Sequence, residues 1–199
     1  METEIKPTVH VVGLGGVGFY CYLALLRAVS ADQLIGWDAD NLEGGLGHAR
    51  LPVASPPTMK AGLVRGFARV SMGDRPGVTH EVMFTGGECK AGDLVVDCTD
   101  MSTDKREVMY KAIKAQGARY IRASYDGAAS TIVVAEGLPL RTEGVEGGRG
   151  YDAVPSLALS FAAGGIAAEC VRLVLANPSV YLENQVSLSE WLTKIPAAA

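Results

Sequence analysis

Apolar residues in this chain fall into short unbroken runs set off by glycines and charges, with longer helix-compatible stretches between them. Val9-His10-Val11-Val12 is a largely β-branched run that stops at a glycine, the pattern of a buried strand. Gly13-Leu14-Gly15-Gly16-Val17-Gly18 follows, and residues 19–29 are apolar enough for a helix. Gln33-Leu34-Ile35-Gly36-Trp37-Asp38 reads as a second strand with an acidic end, which closes one β-α-β unit. A glycine-rich loop covers 41–50, and Pro56-Pro57 marks the approach to a helix over 58–70. Residues 78–84 read as a third strand. Asp93-Leu94-Val95-Val96-Asp97-Cys98 reads as a fourth, with the unbroken apolar row of a strand covered on both faces. Residues 102–116 carry helical periodicity through Val108, Met109, Ala112 and Ile113, and Gly117 ends it. Strands are expected at 119–123 and 131–135, a flexible crossover loop at 137–152, and a long apolar helix at 155–175. Strands alternating with helices predict an α/β fold, a doubly wound and mostly parallel sheet with helices on both faces.

Composition narrows the class. Hydrophobic residues make up 48% of the 199 and charged residues 20%, enough to bury a core in one domain over 1–199. Within it, 8–135 would form the core, 137–152 the crossover, and 155–177 the closing helix and tail. Glycine is the outlier, with 24 copies against about 7% in average usage, which suits loops that approach a ligand closely. A net charge of −4 with no basic block argues against nucleic acid as the main ligand. Cys21, Cys89, Cys98 and Cys170 form no Cys-x-x-Cys pair, so they read as reduced thiols of a cytoplasmic protein, with no zinc expected. The acidic start Met1-Glu2-Thr3-Glu4 is unlike a signal peptide. The uncharged stretches 11–26 and 153–168 are 16 residues each, short of the roughly 20 needed to cross a bilayer, and read as buried core.

Two segments carry candidate chemistry. Gly13, Gly15 and Gly18 satisfy G-x-G-x-x-G between a strand and a helix, the phosphate-binding turn of a Rossmann-like fold. The helix behind it offers free N–H groups to an anion. Asp38, 20 residues beyond Gly18, ends the second strand where a carboxylate can accept ribose hydroxyls. A tightly packed turn without a ligand is the alternative. In Asp93–Asp100 (D-L-V-V-D-C-T-D), the strand delivers Asp100 to the carboxyl edge of the sheet, where such folds bind ligands. Asp100 can bind Mg²⁺ through its oxygens or cap the following helix, a task Ser102 can equally take.

Taken in order, V-V-G-L-G-G-V-G, W-D-A-D, a downstream Arg and Lys, and D-L-V-V-D-C-T-D resemble the ThiF/MoeB/HesA family, adenylyltransferases related to ubiquitin-activating enzymes. The resemblance runs from Val9 to about Ala135, and the helix at 155–175 looks like the family's closing helix. It implies ATP-dependent adenylation of a protein's C-terminal carboxylate, typically the Gly-Gly end of a ubiquitin-like or sulfur-carrier protein, by a homodimer. Carried over by position, Gly13, Gly15, Gly16 and Gly18 face the phosphates and Asp38, with Asp40 beside it, the ribose. Arg50 resembles the phosphate-contacting Arg, Lys60 the Lys that opens the next helix, and Asp100 the acid that organises Mg²⁺. Arg, Lys and Mg²⁺ would neutralise the departing pyrophosphate.

The chain also departs from the family pattern. The family's S-N-L-x-R-Q is replaced by a glycine-rich loop one residue longer, Met101 stands where Asn is usual, and the zinc-binding Cys-x-x-Cys pairs are missing. Only Lys6 precedes the first strand where the family often has an Arg. Cys170 lies on an apolar helical face and Cys98 and Cys21 among apolar neighbours, so adenylation without a thioester is expected. Cys89, beside Gly86-Gly87 and Lys90, is expected to be the exposed thiol. His10 and His80 read as strand residues, His48 as a loop residue, and Trp37 as core. Arg122 and Tyr125 lie at an edge open to substrate. Two other functions fit the same turn: a nicotinamide-dependent oxidoreductase using Asp38, or a nucleotide- or partner-binding scaffold without catalysis.

Overall fold

A computed structural model describes residues 6–41, 59–73, 77–126, 131–137, 153–180 and 185–187. Among these residues seven strands form one sheet: β1 (Val9–Val12), β2 (Leu34–Trp37), β3 (Val78–His80), β4 (Leu94–Asp97), β5 (Arg119–Asp126), β6 (Thr131–Glu136) and β7 (Gln185–Ser187). Their order across the sheet is β3-β2-β1-β4-β5-β6-β7. The first five strands pair in parallel, and β6 and β7 add on antiparallel. The helices are α1 (Gly16–Leu25), α2 (Lys60–Met72), α3 (Thr103–Ala115) and α4 (Ala153–Ala176). This is the α/β, doubly wound and mostly parallel sheet that the alternation predicts.

Both faces are covered, as the apolar row of the fourth strand requires. Val9, Val11, Leu94, Val96 and Ile121 point to one face and pack with α1, α2 and α4. Val12, Trp37, Val95 and Tyr120 point to the other and pack with Met109 and Ile113 of α3. The residues alternate along each strand, so one β-strand period serves two cores. In α4, Ala158–Ala176 is apolar and long enough for a bilayer span by composition, yet half of it is buried in the protein. The helix lies against α1, β5 and β6.

Several elements differ from expectation at their ends. α1 begins at Gly16, inside the glycine run rather than at residue 19, because two of the glycines have work at the turn itself. Gly13 adopts φ +82°, and a β-carbon there would lie 2.9 Å from Thr99 Cγ2. A β-carbon on Gly18 would fall 1.8 Å from the Gly13 carbonyl oxygen, so the helix closes on the strand only without one. Since backbone rather than side chain is in the way, Gly18→Ala should cost about 3 kcal/mol or more. A urea midpoint within error of wild type would contradict that. β3 stops at His80, four residues short of the predicted end, and β5 runs on to Asp126. β7 is an element the sequence reading lacks: Gln185-Val186-Ser187 has no strand pattern of its own and exists by pairing with β6.

Away from the sheet's carboxyl edge, Asp93 and His10 form a buried polar pair. Asp93 accepts from the backbone of Thr8 and Lys90. Its other contact is His10 Nε2, at 3.3 Å, while Trp37 Nε1 donates to His10 Nδ1 at 3.1 Å. His10 is therefore a satisfied core histidine. Burial pulls its pKa below the ordinary 6.5, against the opposing pull of Asp93. From pH 6.5 down to that lower folded value, the unfolded chain binds a proton that the folded chain does not. Stability is then full above pH 6.5 and lost as the pH falls, with a slope of at most about 1.4 kcal/mol per unit. Urea unfolding from pH 7.5 to 5 should show His10→Gln losing part of this acid sensitivity; identical slopes would count against the assignment.

Candidate functional site

Strand order reverses at β1, with β2 on one side and β4 on the other. The crevice beyond the carboxyl ends of β1 and β4 is where open α/β sheets bind ligands. The glycine turn enters it from β1. α1 starts there with Gly15 at its N-cap, no side-chain cap and no acidic residue in its first turn. Its first N–H groups and its positive dipole end are thus left to whatever occupies the crevice. A β-carbon on Gly15 would meet nothing within 4 Å, and that side of the turn is open.

Asp38 closes the β2 side. Its Oδ2 accepts from the Leu14 N–H at 2.6 Å and its Oδ1 from the Asp40 N–H at 2.8 Å. The carboxylate is therefore fixed to the glycine turn and to the start of the next segment. It is buried, and desolvation raises its pKa against the lowering effects of those N–H groups and Lys60. Two carboxylate oxygens offer about four acceptor positions, so the two N–H bonds leave room for further donors.

Lys60 opens α2 and is held at both ends. Its backbone N–H bonds the Asp40 carbonyl, and its Nζ bonds Asp40 Oδ2 at 2.8 Å. Burial alone would lower the ammonium pKa. The Asp40 hydrogen bond and the charges of Asp38, Asp40 and Asp100 outweigh burial and raise it. Lys60 is thus a permanent cation among three carboxylates, with its side chain only 10% exposed. A bridge between Asn41 and Met59 brings the chain back to the site after residues 42–58. Arg50 and His48 lie in that stretch, outside the described residues.

β4 delivers the third part. Asp97 is fully buried at its end and anchors the D-C-T-D turn. Its Oδ1 accepts from the N–H and hydroxyl of Thr99. Its Oδ2 accepts from Arg106 Nε and the Tyr120 hydroxyl, and Arg122 Nη1 lies 3.3 Å from its Oδ1. The same guanidiniums bond the carbonyls on either side of Asp100: Arg122 reaches Thr99 at 2.6 Å, and Arg106 reaches Met101 at 2.7 Å. Asp100 itself is exposed. Ser102 occupies the N-cap position of the helix after it, without a side-chain cap bond, so Asp100 is not the N-cap.

Glycine turn, Asp38, Lys60 and Asp100 therefore share one edge of the sheet. The fold is similar to that of E. coli MccB. The structure of MccB with ATP superposes with a TM-score of 0.61 at 14% identity, covering 88% of this chain and 58% of that one. MccB with MccA gives 0.62 at 14% identity, covering 89% and 58%. PaaA gives 0.60 at 16%, covering 89% and 58%. This chain thus spans less than two thirds of the length of these structures, and the likeness is one of fold. No protein-family model and no curated protein matches the sequence.

Arg106, Tyr120 and Arg122 are the residues that sequence reasoning missed or misplaced. Arg122, expected at an edge open to substrate, is buried and committed to Asp97 and Thr99. Cys89 is corrected as well: it is 4% exposed, and its Sγ donates to the Gly86 carbonyl. Glu88 accepts from the backbone N–H groups of Thr85 and Gly86, which closes the turn and tucks the thiol inward. Burial raises its pKa, as it does for Cys170; Cys98 is also raised, by its hydrogen bond to Cys21 and then by burial. Raised thiols are poor nucleophiles at neutral pH. Among the described residues no group of three His, Cys, Asp or Glu is placed to hold a metal. A protein cage for a divalent ion is lacking there. A single exposed carboxylate such as Asp100 suits Mg²⁺, which binds through one or two carboxylates with phosphates and water completing its shell.

Proposed function

We propose that this chain binds ATP at the β1–β4 edge and adenylates the terminal carboxylate of a peptide or carrier protein. The observation that carries the reading is the meeting of an uncapped helix N-terminus, Asp38, Lys60 and Asp100 at one edge. It is supported by the same fold in MccB, whose structures include ATP and MccA. In this reading the α1 N–H groups and the open side at Gly15 receive phosphate, and Asp38, flanked by Asp40, takes the ribose hydroxyls. Lys60 balances phosphate charge that its three carboxylate neighbours would otherwise repel. Asp100 would hold Mg²⁺, which supplies charge neutralisation on the phosphates. The substrate carboxylate is already ionised at neutral pH and needs no general base. Its oxygen bonds to the α-phosphorus, the bond to the bridging oxygen of the β-phosphate breaks, and pyrophosphate leaves with that electron pair.

Arg50, which resembles the family's phosphate-contacting Arg, is assigned to the same phosphates. The carrier is a ubiquitin-like or sulfur-carrier protein ending in Gly-Gly, and the working form is a homodimer. With Cys89, Cys98 and Cys170 raised above the ordinary thiol value and Cys21 fully buried, the product is an acyl adenylate rather than a thioester. A nicotinamide dehydrogenase would use the turn and Asp38 but gives Lys60 and Asp100 no task. Carboxylate-dependent exchange of pyrophosphate into ATP tests the proposal. Exchange with a Gly-Gly-ending carrier and Mg²⁺ is expected. Tight ATP binding without exchange, across a panel of carriers and small carboxylates, would overturn the catalytic reading.

A further inference from the structure

Among the described residues, one buried side-chain polar atom lacks a hydrogen-bond partner: Ser160 Oγ. Ser160 lies on α4 and is fully buried. Its hydroxyl faces the start of α1, where a β-carbon on Gly16 would lie only 2.8 Å from it. α4 is held in this position by close packing: a β-carbon on Gly164 would be 2.7 Å from the Val17 carbonyl and 2.8 Å from the Cys21 nitrogen.

A buried hydroxyl without a partner costs stability, and alanine at the same place would avoid the cost. Helical serines usually escape it by bonding a carbonyl one turn back, yet Ser160 does not. Beside it, the N-terminus of α1 also lacks a side-chain cap. Two unsatisfied donor sets, the hydroxyl and the helix N–H groups, thus meet at Gly16, next to the open side of the turn at Gly15. A single anion would satisfy both.

We infer that Ser160 is the α4 contribution to the phosphate site at the N-terminus of α1, donating its hydroxyl proton to a phosphate oxygen directly or through one water. This rests on the ATP reading above and extends it to the closing helix, which shares no sequence motif with the glycine turn. The hydroxyl is kept at a cost to the free protein because its partner arrives with the ligand.

The test compares wild type, Ser160→Ala and Ser160→Cys by thermal unfolding and by calorimetric titration with ATP, pyrophosphate and adenosine. Ser160→Ala should melt at or above the wild-type temperature. It should weaken ATP and pyrophosphate binding about fivefold and leave adenosine binding unchanged. Ser160→Cys, close in size but a weak donor, should fall between. Equal ATP affinity in all three proteins would overturn the assignment while leaving the ATP reading intact, as would a loss that adenosine shares. Wild-type protein that binds neither ATP nor pyrophosphate would overturn both.

Discussion

Asp100→Asn should lower carboxylate-dependent pyrophosphate exchange by about 10²–10³-fold while leaving the melting temperature within error of wild type. The two halves of this expectation come from different observations. Asp100 is exposed, and Ser102 rather than Asp100 sits at the N-cap position of α3, so the fold asks little of its carboxylate. Its neighbours Thr99 and Met101 are nevertheless clamped through their carbonyls by Arg122 and Arg106, which fixes the backbone on either side of it. A solvent-facing acid on a clamped backbone, within electrostatic reach of Lys60, is suited to organising a charged ligand. Replacing it by the isosteric amide removes the charge and keeps the shape. Exchange within threefold of wild type would remove Asp100 from the chemistry; a large fall in melting temperature would make it structural instead.

Asp97→Ala should do the opposite, destabilising the protein by about 3–5 kcal/mol. Asp97 is fully buried and faces Arg106 and Arg122, whose side chains are 13% and 8% exposed. Without the carboxylate, the buried Arg122 and the partly buried Arg106 lose their counter-charge, Tyr120 loses its acceptor, and the Thr99 N–H and hydroxyl are released. In a domain of this size the fall in melting temperature would be about 10 °C. A loss below about 1 kcal/mol, near the net worth of one ordinary hydrogen bond, would show that solvent readily replaces Asp97. Both substitutions fall in D-C-T-D, three residues apart, so the contrast separates the acid that faces ligand from the acid that holds the turn.

That contrast also marks where sequence reading ends. The β-α-β unit, the glycine turn and the placement of Asp38 and Asp100 at one edge were legible because each follows from local pattern and the topology rule for open sheets, whereas Lys60 was picked out only by the family resemblance. The partners of Asp97 were not. Arg106, Tyr120 and Arg122 lie 9, 23 and 25 residues away, on an adjacent helix and strand, and nothing in their spacing points to a shared carboxylate. Ser160 is a plainer case: in a run of apolar helix residues it reads as a small packing residue, and only its missing partner sets it apart. Cys89 was misplaced because Gly86, Gly87, Glu88 and Lys90 make its surroundings look like an open loop. Glu88 instead spends its charge on backbone N–H groups and folds the turn over the thiol.

ATP binding at this edge is measured most directly by calorimetric titration of ATP and NADH, each with Mg²⁺, into wild type and Asp38→Ala. The expected result is ATP binding by wild type, at least tenfold weaker with Asp38→Ala because the ribose loses its acceptor, and weaker binding of NADH than of ATP. No ATP binding by wild type, or NADH binding tighter than ATP, would contradict it.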